Sequence, residues 1–275
     1  MATKYWVSTG SSDYSLAANW STTSGGAGGA GEPASSDIAV FDSNSTNDCD
    51  FPARTEVVAG LELRSGYTGT VDNPNPNAFI VTSNEITVAS GATLSLSNSS
   101  AVLQPRAGIS GAGTISGNGR LSFDIYTDST LDIGPSTFDI EIVINTRSQV
   151  VTINLKDGTI FNSDLSVTSS NGTYTLVSDG DLQIGANFSI NSSTTSWSKG
   201  TGTITLAPPA ATTKTIDFNG ETIEDLVIDG AGTAELTGAF TTDSLTCTAG
   251  TLDVNLQNIT VVGDMTVAAG CSVIE

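Results

Sequence analysis

The sequence predicts an all-β fold, a parallel β-solenoid in which short strands stack coil upon coil. The last fifty residues follow one template three times and place Leu226, Leu245 and Met265 in one column, at intervals of 19 and 20 residues. A repeat near 20 residues is typical of a solenoid. Upstream, brief apolar–polar alternations end at small corner residues, as in Ile86–Val88 before Gly91. That pattern indicates short half-buried strands.

A β-sandwich or barrel is the alternative, since these folds also have short strands. Sandwich hairpins vary in length and need not return the same residue type to the same column. A coil stacked about 4.8 Å above its predecessor must do so. The repeated column therefore favours stacking, and roughly 20 residues per coil predicts about 10 or 11 coils and a rod on the order of 50 Å long.

Residues 1–54 do not fit the template and predict an N-terminal cap or docking segment. Tyr5, Trp6 and Trp20 stand near a Gly- and Ser-rich stretch at 21–37, which we interpret as a flexible loop. The first coil of a solenoid exposes unpaired backbone groups, and bulky cover there prevents edge-to-edge aggregation. We expect the three aromatic residues to provide this cover and to take part in docking.

The rest of the chain divides into two predicted segments. Residues 55–196 form irregular solenoid coils, and residues 197–275 form the regular repeats. No cap follows the last repeat before Glu275. We expect this uncapped end to be covered by another chain, or the natural protein to continue.

Charge excludes several classes of partner. The chain has 9 Lys and Arg residues against 29 Asp and Glu residues, a formal net charge of −20. Nucleic acid is excluded as a partner because phosphate neutralisation needs clustered basic residues. The same field repels anionic membranes and acidic glycans. No apolar run approaches the roughly 20 residues of a membrane span, so we expect no membrane insertion.

The cysteines predict no metal site or redox motif. The chain has three cysteines, Cys49, Cys247 and Cys271, and none of them lies in a CxxC motif. The sequence contains no histidine that could complete a metal site. Zinc sites are built from clustered cysteine and histidine ligands. We interpret all three as buried or incidental thiols, with Cys247 facing inward beside Leu245.

Catalysis would have to rely on carboxylates, because histidine is absent. The candidates are Asp124 and Asp128 around Tyr126, or Asp139 with Glu141. Inverting glycosidases hold two carboxyl groups roughly 6.5 to 9.5 Å apart, a spacing that neighbouring coils provide. The acidic residues are nevertheless spread along the whole chain, and only 6% of residues are aromatic. We therefore expect no enzyme and assign no catalytic residue.

Two Asp- and Asn-rich turns are the candidates for a bound ion. Asp42, Asp48 and Asp50 lie in one, and Asp72 lies in the other. Hard cations prefer such oxygen donors, so a ligand here would be calcium. The favoured interpretation is a solvated turn built on Asx hydrogen bonds, without a cofactor.

Two segments resemble a known group of proteins. The opening KYWVSTGSSDYSLAANWSTTSGGAGGAGEPASSDIAVFD resembles the first coil of right-handed parallel β-solenoid (β-helix) proteins from tailed-bacteriophage virions and bacterial surface adhesins, including autotransporter passengers. The stretch from SWSKG to MTVAAG is similar to a repeat in the same proteins. Together the two segments cover about 110 residues. The resemblance implies a right-handed solenoid and a surface or virion setting.

This resemblance leads to a functional expectation. We expect a non-enzymatic structural and adhesive bacteriophage virion protein (a fibre, spike, or head or neck appendage) that presents a rod for host-surface recognition. Because the fold follows Met1 without a secretory signal, we expect synthesis in the host cytoplasm and location in the virion. Expected partners are further copies of itself as a homo-oligomer, specifically a trimer, other virion proteins, and a host surface glycan. The alternatives are a secreted bacterial surface adhesin fragment and a polysaccharide depolymerase.

Overall fold

The computed structural model describes residues 1–125, 129–146, 149–169, 172–190 and 195–275. These residues form short β-strands and a 3₁₀ helix at Ala17–Asn19. The strands stack in parallel as the coils of a β-solenoid of about 10 turns, which confirms the predicted all-β fold class.

The chain divides into two compact units. The first comprises residues 1–124 and 136–141, and the second comprises residues 125–135 and 142–275. The two units are groups of residues that pack closely among themselves. The predicted segments at 1–54, 55–196 and 197–275 were defined by the repeat pattern instead, so this division does not test them and they stay a prediction.

The strands are short in most coils and are numbered here in chain order. The first thirteen are β1 (Thr3–Trp6), β2 (Trp20–Ser21), β3 (Ile38–Phe41), β4 (Cys49–Asp50), β5 (Glu56–Val58), β6 (Gly60–Leu63), β7 (Thr70–Asp72), β8 (Phe79–Thr82), β9 (Ile86–Val88), β10 (Thr93–Leu96), β11 (Val102–Pro105), β12 (Ile109–Ser110) and β13 (Thr114–Ile125). They are followed by β14 (Ser129–Ile133), β15 (Thr137–Thr146), β16 (Val150–Lys156), β17 (Thr159–Phe161), β18 (Leu165–Ser169), β19 (Thr173–Asp179), β20 (Leu182–Ile184), β21 (Phe188–Ser189) and β22 (Thr195–Ser198). The last are β23 (Thr203–Leu206), β24 (Thr213–Asp217), β25 (Thr222–Ile223), β26 (Asp225–Leu236), β27 (Phe240–Thr242), β28 (Leu245–Asp253), β29 (Ile259–Val261), β30 (Met265–Val267) and β31 (Cys271–Ile274).

In the first unit, apolar residues stack in register from coil to coil. One column runs through β4, β7, β10 and β13 as Cys49, Val71, Leu94 and Ile115. All four side chains are fully buried. Strands about 4.8 Å apart bring such side chains into contact along the column. The core of this unit is therefore a set of stacked rows. In the other sheet, β2 is the edge strand and pairs antiparallel with β1.

In the second unit, the predicted column is present. Leu226 pairs with Leu245 and Leu245 with Met265, both in parallel register. The same column extends upstream to Leu182 and Ile204. Identical register over successive coils is what a sandwich does not provide, so the structure confirms stacking over the alternative.

Turn side chains add hydrogen bonds between successive coils. Asp157 Oδ1 accepts a bond from the backbone N–H of Asp181 at 2.8 Å, and Asp181 Oδ1 accepts one from the N–H of Thr203 at 2.9 Å. Asp164 accepts from both the backbone and the amide group of Asn187, at 3.0 and 3.1 Å. At the turns between coils, Asp and Asn side chains thus accept hydrogen bonds from N–H groups that lie outside the strand ladders. This role accounts for some of the many aspartates in the chain.

The Gly-rich stretch at 21–37 makes backbone hydrogen bonds to the first coil, although most of its residues are exposed. The flexible-loop interpretation stays a prediction. The backbone N–H of Ala30 donates to the Trp20 carbonyl at 2.9 Å, and that of Gly29 donates to the Ala17 carbonyl at 3.0 Å. The Lys4 ammonium also donates to the Ala30 carbonyl. At Gly28, an added Cβ would overlap the carbonyl group of Ala18. The glycines here allow close backbone approach.

Two of the three cysteines form a disulfide, which corrects the interpretation of all three as thiols. Cys247 on β28 is bonded to Cys271 on β31, with a Cα–Cα distance of 5.9 Å and a sequence separation of 24. That distance is within the usual range for a disulfide. Cys49 remains a free, fully buried thiol as predicted.

Candidate functional site

A polar groove on the first unit is the strongest candidate for a functional site. It has a volume of about 360 Å³, and its lining includes Asn77, Phe79, Ser99, Asn118, Arg120 and Glu141. All of these residues belong to the first compact unit. The volume lies at the small end of the roughly 300 to 1,000 Å³ that is usual for small-molecule sites. The polar groove therefore fits a ligand the size of a small saccharide.

Three neighbouring strands form the floor of the polar groove. Phe79 on β8 pairs with Val102 on β11, and Val102 pairs with Arg120 on β13. The adjacent column, Leu103 with Leu121, is fully buried and faces the core. Side chains alternate along a strand, so the Phe79–Val102–Arg120 column lies on the opposite face from Leu103 and Leu121, with Val102 buried between its two neighbours. Phe79 is half-buried and Arg120 is exposed, which leaves a ring and a guanidinium on one surface.

Tight turns form the walls of the polar groove. Asn77 has a φ of +56°, a left-handed conformation that asparagine tolerates. Asn98 Oδ1 accepts a bond from the N–H of Ser100 at 2.9 Å, and the Asn98 carbonyl accepts one from the N–H of Ala101 at 3.0 Å. At Gly119, an added Cβ would lie 2.6 Å from the Ala101 carbonyl oxygen, so only glycine fits beside this turn. The wall geometry is thus fixed by the backbone.

Arg120 and Glu141 are the charged groups of the polar groove, and both are exposed. Among the described side chains, no carboxylate lies within 4.0 Å of the Arg120 guanidinium. By contrast, Arg54 lies 2.7 Å from Glu32 and Arg64 lies 2.7 Å from Glu62. The five N–H donors of Arg120 are therefore available to a ligand.

Among the carboxylates considered for catalysis, Glu141 lines the polar groove. Asp139 and Glu141 are both exposed on β15 and, being two residues apart, lie on the same face of the strand. Asp128 and Tyr126 lie outside the described residues, as does the side chain of Asp124. The expectation that the chain is not an enzyme stays a prediction.

The four calcium candidates make separate hydrogen bonds. Asp48 Oδ1 accepts from the N–H of Thr70 at 2.7 Å, and Asp72 accepts from the N–H and hydroxyl of Ser97 at 3.0 and 2.5 Å. Each carboxylate thus ties one turn to the next coil.

The other two candidates, Asp42 and Asp50, bond to serine hydroxyls. Asp42 accepts from Ser24 Oγ and Asp50 from Ser12 Oγ, each at 2.6 Å. Within the part of the chain that the structure describes, no group of three or more potential metal ligands is found. The calcium alternative remains a prediction without support from these contacts.

The aromatic residues predicted to cap the first coil form a buried cluster. Trp6 and Trp20 are fully buried, with ring centroids 5.2 Å apart in an edge-on arrangement. Phe41 lies within 5.8 Å of both rings. Trp6 Nε1 donates to the Asn47 carbonyl at 3.0 Å. Of the three predicted residues, Tyr5 alone is partly exposed, and the Arg64 guanidinium lies 5.8 Å from its ring centroid.

Beside this cluster is a buried acidic group. Glu56 is 7% exposed, and its Oε1 lies 2.5 Å from Nε of Arg54. Burial raises the pKa of Glu56 above its usual value, although the Arg54 guanidinium opposes the shift. Burial also raises the pKa of Tyr14 far above its usual range, with Glu56 as the next contributor.

The last coil of the second unit forms a second, apolar cavity of about 340 Å³. Leu245, Val261, Met265 and Val273 are among its lining residues. Met265 is 52% exposed, whereas Leu226 and Leu245 in the same column are buried. Nothing in the structure shows what covers this surface.

Sequence reasoning missed most of the polar groove. Phe79 and Arg120 belong to no motif, and their neighbours in the groove come from different coils. Asn77 belongs to the Asn-rich turn that also contains Asp72, which the sequence linked only to ion binding. One signal in the sequence could have found Arg120. The chain has only 9 basic residues, so an arginine with no acidic residue beside it in the sequence, such as Arg120, is a candidate for contacting a ligand.

Comparisons with known proteins give no relative for this chain. No family model matches it, and neither a curated protein nor a solved structure matches. Among the described residues, no helix is long and apolar enough to cross a membrane.

Proposed function

We propose that this protein is a non-enzymatic structural and adhesive component of a bacteriophage virion, a fibre, spike, or head or neck appendage. Its solenoid coils serve as a scaffold that presents a recognition surface to a host surface glycan. The resemblance of residues 4–42 and 196–270 to virion and adhesin solenoids supports the setting.

The polar groove is the observation that carries the recognition role. It combines the Phe79 ring, the unpaired Arg120 guanidinium, and amide and hydroxyl groups on a surface fixed by tight turns. Binding sites for small ligands place a few oriented polar groups beside an apolar surface in this way. The stacked ladders and tied corners hold that surface in place.

The virion role is tested by asking where the chain resides. An antibody against the chain is used on gradient-purified phage particles, on the host cell envelope and on the culture fluid. We expect the chain to sediment with the particles. Its recovery from the envelope or fluid of cells without phage would overturn the proposal and favour a secreted bacterial adhesin.

The structural role also predicts that the protein forms oligomers and that it does not cleave the glycan it binds. Light scattering should give a mass near three times 28.0 kDa, because a trimer presents several copies of one site. Incubation with host polysaccharide should release no reducing ends and no unsaturated sugars. Release that is lost in Glu141→Gln would establish a depolymerase instead.

A further inference from the structure

We propose that the polar groove binds a neutral saccharide, with the Phe79 ring packing against a sugar face and Arg120 and Glu141 bonding to hydroxyl groups. The inference rests on the proposed recognition function and names the chemical class of its ligand.

The shape and chemistry of the polar groove suit a sugar. Phe79 is half-buried, so one part of its ring is fixed by packing while another part is open to a ligand. Sugar rings have an apolar C–H face and a rim of hydroxyl groups. An aromatic surface beside hydrogen-bonding groups matches both features.

The polar groups around Phe79 are already oriented. Asn118 Nδ2 donates to the Ser97 carbonyl at 3.2 Å, which fixes the amide plane and leaves Oδ1 as an acceptor. Asn77 is held by its left-handed turn, and Gly119 lets the neighbouring wall approach closely. A site ordered before binding loses less conformational entropy when a ligand enters.

Charge selects neutral saccharides over acidic ones. Arg120 and Glu141 contribute one charge of each sign, so they leave the polar groove without net charge. The rest of the chain carries a large excess of acidic residues, with a total formal charge of −20. That field disfavours the approach of a polyanionic glycan. A neutral sugar meets no such penalty, and its hydroxyls accept from Arg120 and donate to Glu141.

Binding is tested with oligosaccharides of glucose, galactose, mannose and N-acetylhexosamines, against uronate- and sialate-containing oligosaccharides of equal length. The full chain is screened on an array, and the hits are measured by calorimetry. We expect binding to the neutral set, with an affinity that changes less than about threefold between about 50 mM and about 500 mM salt, since no charged ligand is screened.

Groove variants locate the site. Arg120→Ala and Phe79→Ala should each lower the affinity for the best neutral ligand by about tenfold or more, and Glu141→Gln should lower it by a smaller factor. The matched controls are Arg106→Ala and Glu85→Gln, which change exposed residues outside the polar groove and should bind as the native chain does. Because Arg120 is exposed, Arg120→Ala keeps the test valid even if Phe79→Ala unfolds.

The outcomes separate this inference from the proposed function. Preferential binding of uronate or sialate ligands would overturn the assignment of neutral saccharides as the ligand class. Unchanged binding by Arg120→Ala would overturn the location while leaving host recognition in place. Binding to no saccharide would overturn the whole inference, and the particle sedimentation experiment would still decide the virion role on its own.

Discussion

At the residue scale, Glu224 is a buried carboxylate that holds a corner of the second unit. It is 1% exposed and accepts bonds from Trp197 Nε1 at 3.0 Å and from the N–H of Gly200 at 2.5 Å. Glu224→Ala leaves both donors unsatisfied, so we expect a loss of about 3 kcal/mol in the free energy of unfolding. Glu224→Gln keeps an acceptor and should lose less.

Urea unfolding measures both Glu224 variants against Glu85→Ala, which removes an exposed glutamate and should change stability by less than about 0.5 kcal/mol. Equal small effects of Glu224→Ala and Glu85→Ala would show that the corner does not depend on this carboxylate.

Glu56 makes the stability of the first unit depend on pH. Its pKa is raised in the folded protein, mainly by burial, so the folded state binds the proton more tightly than the unfolded state. The resulting stabilisation is complete below the unfolded pKa and is lost as pH rises through the folded pKa. Glu56→Gln removes this dependence. We expect its stability relative to the native chain to improve as pH rises above about 4.3, the usual pKa of an unfolded glutamate, and to level off once Glu56 is ionised.

This pH effect is measured by urea unfolding at a series of pH values. Glu85→Gln serves as the control, because Glu85 is exposed and its replacement should leave the pH profile unchanged. A difference between Glu56→Gln and the native chain that stays constant with pH would contradict the prediction.

At the scale of elements, the Gly-rich stretch at 21–37 is tested by one substitution. An added Cβ at Gly28 would overlap the Ala18 carbonyl, whereas one at Gly10 would meet nothing within 4 Å. We therefore expect Gly28→Ala to lower the unfolding free energy by about 1–3 kcal/mol and Gly10→Ala to have little effect. Limited proteolysis should also cut the Gly28→Ala chain faster within 21–37. Equal behaviour of the two variants would show that the close approach at Gly28 does not hold this stretch and would support the flexible-loop interpretation.

The disulfide between β28 and β31 is tested by counting thiols. The unreduced chain should show no reactive thiol when native, since Cys49 is fully buried, and one thiol per chain after denaturation. Three thiols on denaturation would mean that the bond is absent.

Closing a loop with a separation of 24 residues contributes about 3 kcal/mol, so Cys271→Ser should lower the free energy of unfolding by that order. Cys49→Ala should leave the oxidised pair intact.

The predictability of these elements depends on whether they follow the repeat. The Leu226–Leu245–Met265 column was predictable because equal intervals return one residue type to one position. Cys247 pairs in register with Val267, and Cys271 pairs with Gly250, so the two cysteines occupy different columns. Their bond runs across the columns, and a column argument cannot find it.

The polar groove was hidden for a related reason. Phe79, Val102 and Arg120 share one column, but they follow one another at unequal intervals because the turns between them differ in length. Their register is set by how each turn packs on the previous coil, as Gly119 does against Ala101. Such turn geometry is a tertiary property, so periodicity in the sequence does not report it.

At the scale of the whole molecule, the net charge of −20 sets the response to salt. Acidic side chains outnumber basic ones by 29 to 9, and the basic ones already engaged include Arg54, Arg64, Lys156 and Lys199. The remaining negative charges repel one another, which destabilises any compact state. Salt screens this repulsion, because the Debye length falls from about 30 Å at 0.01 M to about 10 Å at 0.1 M.

We therefore expect the thermal midpoint to rise by a few degrees between about 0.01 M and about 0.5 M sodium chloride, corresponding to about 1 kcal/mol. Scanning calorimetry measures this rise. A double variant, Asp264→Asn with Glu85→Gln, removes two exposed negative charges and should raise the midpoint at low salt while reducing the gain from added salt. A midpoint that falls as salt is added would mean that the ion pairs of Arg54, Arg64, Lys156 and Lys199 outweigh the repulsion. In that case the acidic excess would not govern the stability of the chain.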